Sequence, residues 1–380
     1  MRVAGPWVDH PGTQALCHVL EDAGYRALFV GGCVRNALLS VPVADVDIAT
    51  DALPETVSVL AERAGFRAVP TGFDHGTVTV IAHGVPHEVT TFRRDVQTDG
   101  RHAVVAFSTV VEEDAARRDF TMNALYADRT GTVIDPLGGL PDLLARRVRF
   151  VGEPQARIAE DYLRILRFFR FFAHYGDPKG GIDPEGLAAC AANSAKIDTL
   201  SRERIGAEMR KLLAAPDPAP AVAAMAMAGV LAVALPAADA RPLAPLVHME
   251  GEIPPRWLRR LAVMGGDDVE KRLRLSRRES ADLGHIRDEI GGVRTPAALG
   301  FVLGEVVGTD AVLARAAVLE QPLPTNWEVG VTRGATAEFP LRAADLIDRV
   351  QGPALGAALE VARARWLASD LTLTRAQLLG

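Results

Sequence analysis

Short apolar runs alternate with polar, Gly- and Pro-containing stretches through the first 150 residues, the pattern of a chain that mixes strands with helices. Positions 26–30 (RALFV) predict a strand, 32–39 the start of a helix and 46–49 a second strand. Residues 52–64 predict a helix, opened by Pro54 and Glu55 and closed by Gly65. Segments 77–82 and 87–92 predict a β-hairpin around Gly84, and the polar, Gly-containing stretch 93–107 (RRDVQTDGRHAVVAF) predicts a mobile loop. From Glu153 onward strand signals vanish and Ala, Leu and Arg recur at helical periods. Helices are expected over 158–174, 201–213 and 219–235, with breaks at 177–181 and 215–220.

With 380 residues, 48% apolar and 24% charged, the chain is long enough for two or three domains, and its composition excludes collagen-like, disordered and disulfide-scaffold classes. A net charge of −6 means that a polyanionic partner must meet a local basic patch, since bulk charge does not attract it. Cys17, Cys33 and Cys190 are far apart and form no CxxC pair. Neither a zinc knuckle nor a disulfide framework is expected, and a reducing cytoplasm fits. Arg2, Pro6, Asp9 and Pro11 leave no continuous apolar run for a signal peptide, so no export is expected. The uncharged stretch 218–238 approaches the length of a membrane span. It is rich in Ala, however, and Pro220, Gly229 and Pro236 interrupt it, so a buried soluble helix is expected instead.

Candidate chemistry collects in three places. A strand that runs into Gly31-Gly32 and then a helix carrying Arg35 brings bare backbone N–H groups and a guanidinium together, a setting for phosphate. The segment GGCVRN is neither G-x-G-x-x-G nor a P-loop. Asp45 and Asp47 follow as Asp-x-Asp; on a strand they share a face with Val46 turned inward, and their mutual repulsion calls for a cation such as Mg²⁺. Glu88, in HEVTTFR, either completes or orients a two-metal site or pairs with an arginine such as Arg93. In RRDFTMNAL, Arg117, Arg118 and Asp119 adjoin apolar Phe120, Met122 and Leu125, as polar groups carried toward a cleft would. In EDYLRILRFFR, Asp161 and Arg164 stand three residues apart on the predicted helix, and Arg167 and Arg170 continue the stripe. A surface ion pair is one reading of that stripe. The surrounding Leu163, Ile165, Leu166, Phe168 and Phe169 leave few exposed faces, so the arginines require an anionic partner.

In this order and at these spacings, GGCVRN, DVD, HEVTTFR, RRDFTMNAL, IDPLGGLPDL and EDYLRILRFFRF resemble the motifs of class II tRNA nucleotidyltransferases, the CCA-adding enzyme/poly(A) polymerase family. The resemblance covers roughly the first 215 residues; Asn36 departs from it, because Asp is more usual there. It implies an α+β fold: an N-terminal polymerase-β-like nucleotidyltransferase head (1–152), then an all-α neck that recognises the nucleotide base (153–215) and a helical body and tail that bind tRNA (216–380). It further implies two Mg²⁺ ions held by Asp45 and Asp47; Glu88 stands beside them as a third catalytic candidate on the strength of its position in HEVTTFR alone. Gly31, Gly32, Arg35 and Arg118 would contact the incoming nucleotide and Asp119 would lie near its ribose. Asp161 and Arg164 would read its base, and Arg167 and Arg170 would add further contacts. The reaction implied is template-independent addition of C, C and A to the 3′ end of tRNA from CTP and ATP, with release of pyrophosphate. Neither a membrane nor DNA is an expected partner.

Base choice follows from hydrogen-bond chemistry. A carboxylate accepts from N4 of C or N6 of A, while a guanidinium donates to N3 and O2 of C or N1 of A. U and G place a carbonyl oxygen where the carboxylate needs a donor, so they are rejected. A poly(A) polymerase, or an enzyme adding only A or only C, is the neighbouring alternative; the intact 93–107 segment and the lack of a long basic C-terminal tail favour CCA addition. A catalytically silent RNA-binding relative would explain the arginines of the helical half but not Asp45 and Asp47 beside Gly31, Gly32 and Arg35.

Overall fold

The apolar alternation of the N-terminal half builds one mixed seven-stranded sheet, with Arg67–Gly72 at one edge and Val133–Ile134 at the other. The computed structural model describes residues 1–99, 102–347 and 349–380, and the chain divides into the units Met1–Leu200 and Ser201–Gly380. The first unit runs α1 (Pro11–Asp22), β1 (Leu28–Val30), α2 (Gly32–Leu38), β2 (Asp47–Thr50), α3 (Pro54–Arg63), β3 (Arg67–Gly72), β4 (Thr77–Ala82) and β5 (Val85–Thr91). It continues with β6 (Arg93–Asp99), β7 (His102–Phe107), α4 (Val111–Ala116), β8 (Tyr126–Ala127), β9 (Val133–Ile134), α5 (Leu140–Leu144), α6 (Pro154–Glu160), α7 (Leu163–Tyr175) and α8 (Pro184–Ala192). Alternate side chains of β4, namely Val78, Val80 and Ala82, are fully buried, and α1 and α3 pack over the strand. Each buried valine contributes about 1.5–3 kcal/mol. This face fixes the register: β2 and β5 pair in parallel, which sets Asp47 directly opposite Glu88.

Aromatic packing attaches α7 to the segment that follows α4. Phe150 and Phe168 stack with centroids 5.3 Å apart, and Phe120 lies 4.8 Å from Phe171. The arginines of α7 are thereby carried beside Arg118 and Asp119.

Four expectations need correction. Residues 93–107 are not a loop: β6 and β7 pair antiparallel from Arg93 opposite Phe107 to Asp99 opposite His102, with an irregularity between Asp95 and Gln97. Backbone pairing requires no apolar alternation, so the polar character of β6 concealed it; Gly100 and Arg101 lie outside the described residues. The helix expected over 158–174 is two helices, because Asp161 is extended (φ −153°, ψ 107°) and its Oδ1 accepts from the Leu163 N–H at 3.0 Å. A short polar side chain here offers the backbone an alternative to the helix. Asp45 precedes β2 instead of lying on it, although Val46 is buried as expected. Finally, 219–235 breaks at Gly229 (φ 69°) into Ala219–Met227 and Val230–Ala234.

Among the described residues of the second unit every named element is a helix. Its core holds charge as well as apolar groups. Arg259 and Arg260 are buried against Glu250, with Arg259 also paired to Asp310 at 3.1 Å. Arg260 further donates to the carbonyls of Leu213, Ala215 and Pro216, closing the end of helix Arg202–Leu213. Among the described residues one helix, Pro296–Val318, is long and apolar enough to cross a membrane; it is kinked at Gly304 (φ 77°, ψ 171°) and most of its apolar window is buried.

Candidate active site

At the end of β1 the chain turns through Gly31, whose φ of 68° and ψ of −114° suit glycine. A Cβ there would lie 3.2 Å from Arg118 Nη1, so the bare backbone is what lets that guanidinium approach. One turn along α2, Arg35 is buried, and burial holds its pKa below the usual arginine value. It donates to Asn123 Oδ1 at 2.5 Å, to Tyr175 Oη at 2.8 Å and to Asn36 Oδ1 at 2.8 and 3.1 Å, and it stacks 4.0 Å from the Tyr175 ring. Each of these partners is neutral, so Arg35 keeps its positive charge for an incoming anion. Asn36, the departure from the motif, thus orients Arg35 without neutralising it.

Asp47 stands at the meeting of two cavities. The smaller, of about 350 Å³, is lined by Asp45, Asp47 and Glu88 together with Val46, Thr79 and Pro86. Burial pushes the Asp47 carboxyl up to about 6; the charges of Glu88 and Asp45 act in the same direction, and Arg118 opposes them. A carboxylate so disfavoured by burial and like charge is relieved by a cation. The Glu88 side chain lines this acidic cavity together with Asp45 and Asp47. Among the described residues no three His, Cys, Asp or Glu side chains converge to cage a metal ion unaided. The donor set, hard carboxylate oxygens with room for outside oxygens, fits a cation of the Mg²⁺ kind, which is commonly held by one or two carboxylates and substrate phosphates.

The larger cavity, of about 550 Å³, is lined by seven arginines against three aspartates. Ten of the twelve predicted site residues line it; Asp45 and Glu88 instead share the smaller cavity with Asp47. Asp119 is locked in place, accepting from Arg167 at 2.5 and 2.9 Å, from Asn123 Nδ2 at 2.9 Å and from the Phe120 N–H at 2.9 Å. Burial would raise its pKa, but Arg167, Asn123 and the Phe120 N–H outweigh burial and hold it below the usual carboxylate value. Arg164 pairs with Glu160 across the α6–α7 break and donates to the Arg157 carbonyl at 2.7 Å. Arg170 lies over the Phe171 ring at 4.6 Å. The arrangement can take a polyanion beside a carboxylate cluster suited to a cation.

Sequence reasoning missed four residues that shape this wall. Asp114 and Glu160 left a local signal, as acids three and four residues before the arginines they hold. Asn123 and Tyr175 left none, since they reach Arg35 from positions 88 and 140 residues away.

Comparison with known proteins gives a consistent picture. Residues 27–149 match the Poly A polymerase head domain, and residues 181–241 match a probable RNA and SrmB-binding site of polymerase A. The chain is 42% identical over 203 residues to CCA tRNA nucleotidyltransferase 1, mitochondrial, of Homo sapiens, covering 53% of this chain and 47% of that protein. It is 44% identical over 213 residues to the CCA-adding enzyme of Geobacillus thermodenitrificans, covering 56% and 51%. The matched stretch thus spans about half the length of these curated relatives. The Bacillus stearothermophilus CCA-adding enzyme, solved in complex with CTP, superposes with a TM-score of 0.71 at 30% identity, over 97% of this chain and 94% of that one. The Thermotoga maritima CCA-adding enzyme complexed with tRNA shares the fold at a TM-score of 0.71 and 20% identity, over 97% and 93%.

Proposed function

Because the chain belongs to the class II CCA-adding enzyme/poly(A) polymerase family of nucleotidyltransferases, we propose that it adds C, C and A in turn to the 3′ end of tRNA, using CTP and ATP. The observation that carries this reading is the shared position of Asp47, which lines both an arginine-rich cavity and an acidic one. Asp45 and Asp47 are the residues that would hold Mg²⁺, two ions in this reading, with Glu88 beside them. Bound there, Mg²⁺ would supply a lowered pKa for the RNA 3′-hydroxyl and neutralisation of triphosphate charge.

The chain's own residues do the rest. Arg35 and Arg118 hold the triphosphate against the bare backbone of Gly31 and Gly32, so that the α-phosphorus is presented to the 3′-oxygen. The 3′-hydroxyl gives up its proton to solvent as its oxygen bonds to the α-phosphorus; the bond from that phosphorus to the α,β-bridging oxygen breaks, and pyrophosphate departs with the bridging oxygen. Asp119 anchors the wall near the ribose through Arg167. Asp161 accepts from the amine of C or A while Arg164 donates to the ring edge, and Arg170 adds positive charge along the same helix. The division into head (1–152), neck (153–215), and body and tail (216–380), with the last holding tRNA, belongs to the same proposal, as does a cytoplasmic setting, which three free buried cysteines favour.

The test is incubation with tRNA lacking its 3′ CCA and each nucleoside triphosphate separately and together. CCA addition predicts two residues from CTP, one more once ATP is present, and none from UTP or GTP. A long run from ATP alone would indicate a poly(A) polymerase, and addition of only A or only C a division of labour between enzymes. No addition with intact tRNA binding would indicate a silent RNA-binding relative.

A further inference from the structure

A single buried carboxylate serves two of the arginines that line the larger cavity. Asp114, on α4, has a side chain only 1% exposed, and its oxygens accept from five donors. On Oδ1 these are Arg117 Nε at 2.9 Å, Arg117 Nη2 at 2.7 Å and the backbone N–H of Arg93, the first residue of β6, at 3.3 Å. On Oδ2 they are Tyr126 Oη at 2.6 Å and Arg118 Nη2 at 3.1 Å. The Tyr126 hydroxyl in turn accepts from Arg118 Nε at 3.1 Å. Two of the three guanidinium nitrogens of Arg118 are thereby fixed, and the third, Nη1, faces Gly31.

We propose that Asp114 is a positioning residue for nucleotide binding: without touching the nucleotide, it sets Arg117 and Arg118 at the cavity wall, aims Arg118 Nη1 at the phosphate-holding backbone of Gly31, and ties the start of β6 to the same point. This rests on the reading of the cavity as a nucleotide site. One carboxylate shared by two guanidiniums leaves the pair with a surplus positive charge for the ligand, while the bidentate grip on Arg117 and the Tyr126 bridge to Arg118 remove most of their rotational freedom before the ligand arrives.

Other roles for Asp114 predict results of different sign. If Asp114 merely set the local charge, Asp114→Asn would make the cavity more positive and tighten CTP. If it merely stabilised the fold, the folded variant would bind CTP as the wild type does. Positioning predicts weaker binding despite the removed negative charge, and only while Arg118 is present.

The experiment is a double-mutant cycle of Asp114→Asn and Arg118→Ala, read as the CTP dissociation constant in the full chain with Mg²⁺ and no RNA, so that no turnover occurs. Asp114→Asn should weaken CTP about tenfold, and in the Arg118→Ala background its further effect should shrink to less than about twofold. Should Asp114→Asn fail to fold, Tyr126→Phe enters the same cycle. It removes one bond to each partner and should weaken CTP about threefold, again only with Arg118 present. Tighter binding, unchanged binding, or an equal effect in both backgrounds would overturn the proposal. Wild-type protein that binds CTP yet extends no tRNA would refute the proposed reaction while leaving the cycle on CTP affinity readable.

Discussion

Asp161→Ala separates the backbone task of this side chain from the base-reading task proposed for it. Its Oδ1 takes the Leu163 N–H at 3.0 Å where α6 has ended and α7 begins, so alanine removes a cap-type bond worth about 0.5–2 kcal/mol of stability. The same carboxylate lines the arginine-rich cavity beside Arg164. In the proposed role of base reader it would reject U by facing a carbonyl oxygen with an acceptor, a mismatch worth roughly 2–3 kcal/mol, or about 30- to 150-fold in relative kcat/KM. Asp161→Ala should therefore lose most of the preference for CTP over UTP and of ATP over GTP, while weakening CTP and ATP use as well. Asp161→Asn retains a carbonyl oxygen for Leu163 and turns an amide donor to the base. It should regain the stability lost in the alanine variant and shift preference toward UTP. The assay is relative kcat/KM for the four triphosphates on tRNA ending before the CCA, alongside a urea denaturation curve. A folded Asp161→Ala enzyme with the wild-type nucleotide ratios would refute the reasoning and leave Asp161 with its backbone role alone.

Three further outcomes follow from the structure. Arg260→Ala leaves the buried Glu250 carboxylate with Arg259 alone and takes the donor from three backbone carbonyls, so it should cost about 3–5 kcal/mol in the urea unfolding of the second unit; a loss under 1 kcal/mol would show that the cluster relaxes freely. Asp114 and Asp119 both have folded-state pKa values below the ordinary 3.8, because paired arginines outweigh burial. They add stability at neutral pH that disappears as pH falls below about 4, so Asp119→Asn should show a shallower acid-induced loss than the wild type, and an identical acid limb would contradict this. Affinity for tRNA should fall with salt on a log–log slope steeper than about −2 despite the net charge of −6, and a flat dependence would exclude binding through phosphates.

The parts of the molecule that are local in sequence could be read from it. The strand–Gly31–Gly32–helix turn, the alternation of β4 and the Gly65 stop each depend on neighbours within a few residues. The β6–β7 hairpin escaped because its ladder is a pairing of backbone groups, and the polar sequence of β6 carries no apolar alternation to announce it. The α6–α7 break escaped because apolar periodicity runs across it, and only the side chain of Asp161 interrupts the backbone. For the site, the twelve residues expected from motifs do assemble around Asp47, in two adjoining cavities. What motifs could not convey is which groups hold them. Tyr175 and Asn123 reach Arg35 across the fold, and Asp119, named as a ligand contact, spends its oxygens on Arg167 and Asn123.

The central claim is that phosphoryl chemistry takes place where the acidic and the arginine-lined cavities meet, at Asp47. Its most direct test is single-turnover extension of tRNA lacking CCA by Asp47→Asn with saturating CTP and Mg²⁺, set beside CTP and tRNA affinities of the same preparation. The account predicts extension slowed by at least about 10³-fold, since charge stabilisation worth several kcal/mol is lost, with tRNA affinity within about threefold of the wild type. Extension within tenfold of the wild-type rate would place the chemistry elsewhere.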